Sequence, residues 1–234
     1  MRARMTAIAA LGFYLALVGF AATPMEVILD RIVGSDENGQ PLVVGGISAN
    51  GIGRLAAAAG VPMGIETARS GIESPGAAQY VTLTGQTLGS ALQMLSSTDP
   101  RYEWREIDGV ICIRPSEAWT DPQDVLNAPV TNVKLENVHT RDAMALVARS
   151  LGRQDGKNYI SDTKRLSVNL PQGTILDVLN ATVRANGELV WALEWAPIRR
   201  PANAPVCTLW MFVFGGGGFG QGIMAEDLRR RPTS

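Results

Sequence analysis

The chain has 234 residues with 21 Lys and Arg against 22 Asp and Glu, and a net charge of −1 gives no general attraction to nucleic acid or to an anionic membrane surface. A hydrophobic fraction of 46% is enough to bury a core at this length, which excludes intrinsic disorder across the body and leaves room for one or two ordinary domains. Two cysteines are too few for a disulfide framework, and a single histidine cannot build a multi-His metal centre.

The N-terminus points to a compartment. Arg2 and Arg4 precede the uncharged run TAIAALGFYLALVGFAAT, and the next charge is Glu26. A basic start, an apolar stretch and a small-residue site, with Gly19 and Ala21 at the cleavage positions, is the layout of a secretory signal over residues 1–22. The competing reading is a retained anchor, because the run from Met5 to Met25 is close to the roughly 20 residues that span a bilayer as a helix. Export is expected in both cases, to the periplasm after cleavage or tethered at the inner membrane without it.

Four small units follow in series. In the first, over residues 26–70, Ile52, Leu55, Ala56 and Ala59 form an apolar helical stripe ended by Gly60 and followed by the strand-like VPMGIE. The second, over residues 78–115, is the fullest. Val81 and Leu83 alternate with Thr82 and Thr84 as a strand, Gly85 breaks it, and Thr87 is placed to cap a helix. Leu88, Ala91, Leu92 and Leu95 line that helix at i, i+3, i+4 and i+7, and Asp99-Pro100 stops it. YEWREI and VICIRP then flank Asp108-Gly109, the dipeptide that favours a type I′ hairpin turn.

Residues 116–129, SEAWTDPQDVLNAP, are Pro-rich and polar and read as a linker. The third unit, residues 130–161, has Val133 and Leu135 as strand, a stripe of Met144, Val147, Ala148 and Leu151, and Gly152 as stop. In the fourth, residues 162–214, Val168 and Leu170 form the strand, Thr174 caps, and Ile175, Val178, Leu179 and Val183 line a helix ended by Asn186-Gly187. LVWALEW and VCTLWMFVF complete it, with Trp191 as far past Thr174 as Trp104 is past Thr87. A helix of this length is marginal alone and so is a hairpin, so each helix must lie on a sheet. The expected fold class is therefore α+β, as tandem two-layer β-α-β-β modules, each with one short helix on its own small sheet. Residues 215–234 read as a flexible Gly-rich tail with a basic end at Arg229, Arg230 and Arg231.

Val81, Leu83, Thr87, Leu88, Ala91, Leu92 and Leu95, followed by Tyr102 to Arg114, resemble the short N-terminal domain shared by secretins and TonB-dependent receptors. The resemblance covers residues 78–115, extends more loosely over 166–195, and makes the Val133 unit look like the related small α/β modules that secretins string together. No outer-membrane barrel segment follows the motif within these residues. The resemblance implies a periplasmic, non-catalytic domain made for contact, either within a ring around a secretion pore or with a partner at the inner membrane.

Candidate chemistry is thin beside this. Gly215, Gly217 and Gly220 formally spell G-x-G-x-x-G after a strand, but a dinucleotide site needs a helix, a second strand and an acidic residue farther on. Ser161 to Lys164 spell S-x-x-K in a polar loop without the partner motifs of penicillin-recognising enzymes. His139 sits just before a helix start, where a solvated or capping role is the ordinary one. Glu103, Glu106 and Asp108 lie along a hairpin, with Glu103 on the opposite face from Trp104. Trp104, Trp119, Trp191, Trp195 and Trp210 could stack on sugars, although Trp104 and Trp191 recur at matching positions and read first as packing residues. Cys112 and Cys207 are either two separate buried thiols or one bridge, and a bridge requires their strands to be neighbours.

No catalytic residue, cofactor or metal is assigned. The leading expectation is an exported, non-enzymatic protein that binds another envelope protein through an open sheet edge or by module packing, with self-association open as well. A glycan- or peptide-binding module is the alternative, and a hydrolase built on Ser161 or His139 is the remaining one.

Overall fold

The computed structural model describes residues 24–29, 43–69, 80–150, 164–195 and 207–213. The expected signal or anchor, Ser161, the glycine run and the Arg229–Arg231 cluster lie outside those residues. Among the described residues no helix is long and apolar enough to cross a membrane.

The elements in chain order are β1 (Val43–Gly45), α1 (Ala49–Ala59), β2 (Met63–Glu66), β3 (Tyr80–Thr82), α2 (Leu88–Thr98), β4 (Tyr102–Ile107), β5 (Val110–Pro115), β6 (Pro129–His139), α3 (Thr140–Ser150), β7 (Arg165–Thr174), α4 (Ile175–Asn186), β8 (Leu189–Trp195) and β9 (Cys207–Val213). The class is α+β. Local chemistry accounts for the boundaries. Ser48 Oγ accepts from Gly51 N at 3.2 Å and starts α1, while Gly60 ends it at φ 65°. Thr87 Oγ1 accepts from Ser90 N at 3.2 Å. Thr174 caps α4 more fully, since Asp177 N donates to its hydroxyl at 3.3 Å and Asp177 Oδ2 accepts from Thr174 N at 2.7 Å. Asp108 and Gly109, at φ 51° and 77°, make the expected hairpin turn between β4 and β5.

Two of the expected stripes are buried in full and that of α1 except for half-buried Ala59; of the third unit's stripe Val147 is buried, while Leu151 and the stop at Gly152 lie outside the described residues. Ile52, Leu55 and Ala56 of α1, Leu88, Ala91, Leu92 and Leu95 of α2, and Ile175, Val178, Leu179 and Val183 of α4 are all buried.

The assembly of these elements differs from a tandem string of modules. One five-stranded sheet in the order β4-β5-β2-β8-β9 draws strands from three of the four expected units. β2 from the first unit lies at its centre, parallel to β5 on one side and to β8 on the other. β4 and β9 flank this parallel core antiparallel to their neighbours. The remaining strands also pair across unit boundaries, β1 with β3 and β6 with β7. The physical reason lies in the central strands. MGI, VICI and LVWAL are continuous apolar runs, and a strand apolar on both faces needs cover on both.

That cover comes from two cores. Trp104, Ile113, Ile65 and Ala192 share a row across the sheet and sit in one core with side chains of α1 and α2 and with Tyr102 and Leu29. Cys112, Gly64, Trp191 and Met211 form the adjacent row on the opposite face, against α3, α4 and the β6–β7 ribbon. The arrangement has three layers rather than two. Trp191 is fully buried because Gly64 beside it has no side chain: a Cβ there would overlap the indole.

Candidate functional site

The carboxyl ends of β2 and β5 bring two buried charged side chains together. Glu66 ends β2 and Arg114 lies one residue before the end of β5, on the sheet face that also holds Trp191. Both are at 0% exposure, as is the Asp124 side chain. Arg114 Nε donates to Glu66 Oε2 and its Nη2 to Asp124 Oδ1, each at 2.8 Å. The same guanidinium donates to Ala118 O at 3.1 Å and to Asn127 Oδ1 at 3.0 Å. A buried guanidinium is tolerated when its fork of donors is matched in this way.

A second arginine closes the cluster. Arg69 Nη2 donates to Asp124 Oδ2 at 2.7 Å, its Nη1 lies 3.4 Å from Asp121 Oδ2, and its guanidinium stacks 4.6 Å over the Trp195 ring. Trp195 Nε1 in turn donates to Glu66 Oε1 at 2.9 Å. Trp119 has Arg105 and Arg114 over its ring at 4.4 and 4.9 Å, while its buried Nε1 has no hydrogen-bond partner.

This chemistry reorders residues 116–129. Rather than a linker between modules, the segment makes two 3₁₀ turns, Ser116–Trp119 and Val125–Asn127, and packs on the sheet end with Ala118, Asp124 and Leu126 buried. Asp124 is the reason. Its carboxylate binds both arginines and also accepts from Leu126 N at 2.8 Å, capping the second turn.

Two carboxylates converge on the buried Arg114, and the Glu66 acid is raised to about 7. Burial is the main cause; the Arg114 charge opposes it and the nearby Asp124 carboxylate reinforces it. A raised carboxyl is the mark of many general acids, but catalysis also needs access. The adjoining cavity, lined by Glu66, Arg69, Pro115, Glu117, Ala118, Asp121 and Asp124, measures about 40 Å³. That is room for water, far below the roughly 300 Å³ at which ligand pockets begin. The cluster is therefore a clasp that ties β2, β5, β8 and the 116–127 segment together.

The residues singled out from sequence are dispersed. His139 ends β6 opposite Arg165, half-buried, immediately before α3. Glu103 and Arg105 pair on one face of β4 at 2.8 Å, both 45% exposed. Asp108 pairs with Arg184 at 3.4 Å. Trp104 and Trp191 both pack against core, but on opposite faces of the sheet, Trp104 half-buried at the edge and Trp191 buried at the centre with its Nε1 donating to Asn180 Oδ1 at 2.9 Å. Trp210 lies on β9 opposite Ala192.

The bridge between Cys112 and Cys207 is not formed. Cys112 is a free, buried thiol whose Sγ lies 3.3 Å from Asn180 Oδ1. β5 and β9 are separated by β2 and β8, roughly 14 Å at ordinary strand spacing, against the ~7 Å limit for a disulfide. Burial pushes the Cys112 thiol up to about 12.

No motif marks Glu66, Arg69, Arg114 or Asp124 in the sequence. A usable signal was present: Glu66 and Arg114 each follow an apolar run long enough to be covered on both faces, where an ionised side chain must find a buried partner.

Fold and cluster define an α+β protein with one mixed sheet, helices on both of its faces, and a buried ion-pair clasp at one end of the parallel strands. No family model matches the chain, and neither a curated protein nor a solved structure matches it.

Proposed function

We propose that this chain is an exported, non-enzymatic component of the cell envelope that works by binding another polypeptide, in the manner implied by its likeness to the secretin and TonB-receptor N-terminal domain. The observation that carries the reading is the outer edge of β4. β4 is a terminal strand of the sheet, and among the described residues its only strand partner is β5. A two-residue turn makes Ile107 and Val110 a hydrogen-bonded pair, so Ile107, Arg105 and Glu103 bond inward while the backbone groups of Trp104 and Glu106 face outward. An edge of this kind accepts an added strand. The clasp supports the reading from the other side, because its charges satisfy one another and its cavity of about 40 Å³ is too small for a substrate.

A photoreactive amino acid at Glu106, activated in intact cells, tests this directly. The expected result is a cross-link to a second polypeptide in the envelope fraction. Recovery of the protein in the cytosol, or no adduct at Glu106 when it is in the envelope, refutes the reading.

A further inference from the structure

The β4 edge has a charge pattern that selects its own occupant. We propose that β4 pairs with β4 of a second copy, antiparallel, in the register that sets Glu103 opposite Arg105 of the other chain. The proposal rests on the reading of β4 as the binding edge and names what binds there.

Backbone geometry limits the choices. Only residues whose N–H and C=O face away from β5 can form the bonds of a new ladder, and on β4 these are Tyr102, Trp104 and Glu106. Two copies related by a two-fold axis can then be centred on Glu103, Trp104 or Arg105. Centring on Glu103 puts that carboxylate against its own copy, and centring on Arg105 does the same with the guanidinium. Each places like charges directly opposite, which destabilises a pair.

Centring on Trp104 removes both conflicts. Glu103 then faces Arg105 of the second copy, and Arg105 faces Glu103 of the second copy, in non-hydrogen-bonded positions about 4.5 Å apart at Cα. Within each strand Arg105 Nε already holds Glu103 Oε1 at 2.8 Å, so the four side chains close a ring of alternating charge. On the other face the two Trp104 indoles stand directly opposite, a favourable cross-strand aromatic pair.

The backbone bonds fit the same register. The two Trp104 residues exchange both bonds, and each Glu106 N–H reaches the Tyr102 carbonyl of the second copy. Tyr102 N is already committed to Asp99 O at 3.1 Å, so it adds no bond across the axis. Glu103 and Arg105 are each 45% exposed, so among the described residues β4 is an edge that carries charge. A contact of one strand per copy is small, and the dimer is expected to be weak and concentration-dependent.

Sedimentation velocity of the full chain over a concentration series, with Glu103→Arg and Arg105→Glu alone and mixed, tests the register. Each variant alone sets like charges opposite at two places and is expected to weaken dimerisation at least about tenfold. Mixed together they restore opposite charges at both places, and the mixture is expected to dimerise close to the wild-type level. Hydrogen exchange on the wild type gives a readout free of substitution: the Trp104 and Glu106 amides gain protection as concentration rises.

Dimerisation unchanged by either variant, or amides that stay unprotected as the dimer forms, overturns the register. A wild type that remains monomeric throughout overturns the proposal. In that event a Glu106 cross-link to a different polypeptide leaves the edge-binding reading standing, and its absence removes both.

Discussion

Arg114 and Glu66 meet at 2.8 Å with neither side chain more than 1% exposed, and Asp124 meets the same guanidinium at the same distance from the other side. Three separate stretches of chain therefore converge on one cation: the end of β2, the end of β5, and the segment between β5 and β6. Removing one member leaves the others charged, buried and unmatched, so the clasp is sensitive to loss of any single part even if the whole contributes little net stability.

Arg114→Met is accordingly expected to cost about 3–5 kcal/mol in urea-induced unfolding. Arg114→Lys is expected to recover only part of that loss, because an ammonium cannot reproduce the planar fork that reaches Glu66, Asp124, Asn127 and Ala118 together. If Arg114→Met unfolds at the wild-type urea midpoint, the clasp does not hold the 116–127 segment.

Glu66 makes stability depend on pH in a direction opposite to most carboxylates. Its acid rises from an ordinary 4.5 to about 7 in the folded protein, so between those values the native state holds a proton that the unfolded chain has released. The stabilisation is present in full below pH 4.5 and is lost as pH rises through 7, at a limiting slope of about 1.4 kcal/mol per pH unit. Glu66→Gln is expected to remove this slope. Unfolding free energies of wild type and variant at pH 5, 6, 7 and 8 give the difference, and a difference that stays constant would show that Glu66 titrates in its ordinary range.

Local structure was legible where local chemistry decides it. The caps at Thr87 and Thr174, the Asp108-Gly109 turn and the apolar stripes of α2 and α4 each need only a few neighbouring residues to specify them, and each is found as expected. Partnership between strands was not legible. Trp104 and Trp191 stand equally far past their caps, yet the first lies on an edge strand and the second at the sheet's centre, because β2 pairs with the second strand of one hairpin and the first strand of the other. Parallel pairing of distant segments leaves no turn signature to read. The clasp followed the same rule, since Glu66 and Arg114 acquire their meaning only once β2 and β5 are side by side.

The approach of Trp191 to Gly64 turns that pairing into a measurable constraint. A Cβ at Gly64 would overlap the indole, and Gly64→Ala is expected to destabilise by about 3 kcal/mol through overpacking of a rigid site. Trp191→Leu alone is expected to cost a similar amount, by cavity formation and by stripping Asn180 Oδ1 of the indole donor. The double variant should cost less than the sum by about 1 kcal/mol or more, because the smaller side chain makes room for the new methyl. Strict additivity in a urea double-mutant cycle would show that the two residues do not share the space.

Cys112 is expected to be chemically silent while the protein is folded. Its thiol is buried between β5 and α4, burial raises it to about 12, and the hydrogen bond to Asn180 and the Arg114 charge offset that only in part. On the order of one thiol in ten thousand is then ionised at pH 8, and alkylation needs the thiolate. Iodoacetamide at pH 8 followed by peptide mass analysis should leave Cys112 unmodified in the native protein and label it after urea unfolding. The same digest without reductant should yield no Cys112–Cys207 cross-linked peptide, because two strands stand between β5 and β9. Rapid labelling of native Cys112 would mean that α4 lifts from the sheet on the timescale of the reaction, and a cross-linked peptide would mean that the order of strands in the sheet is different.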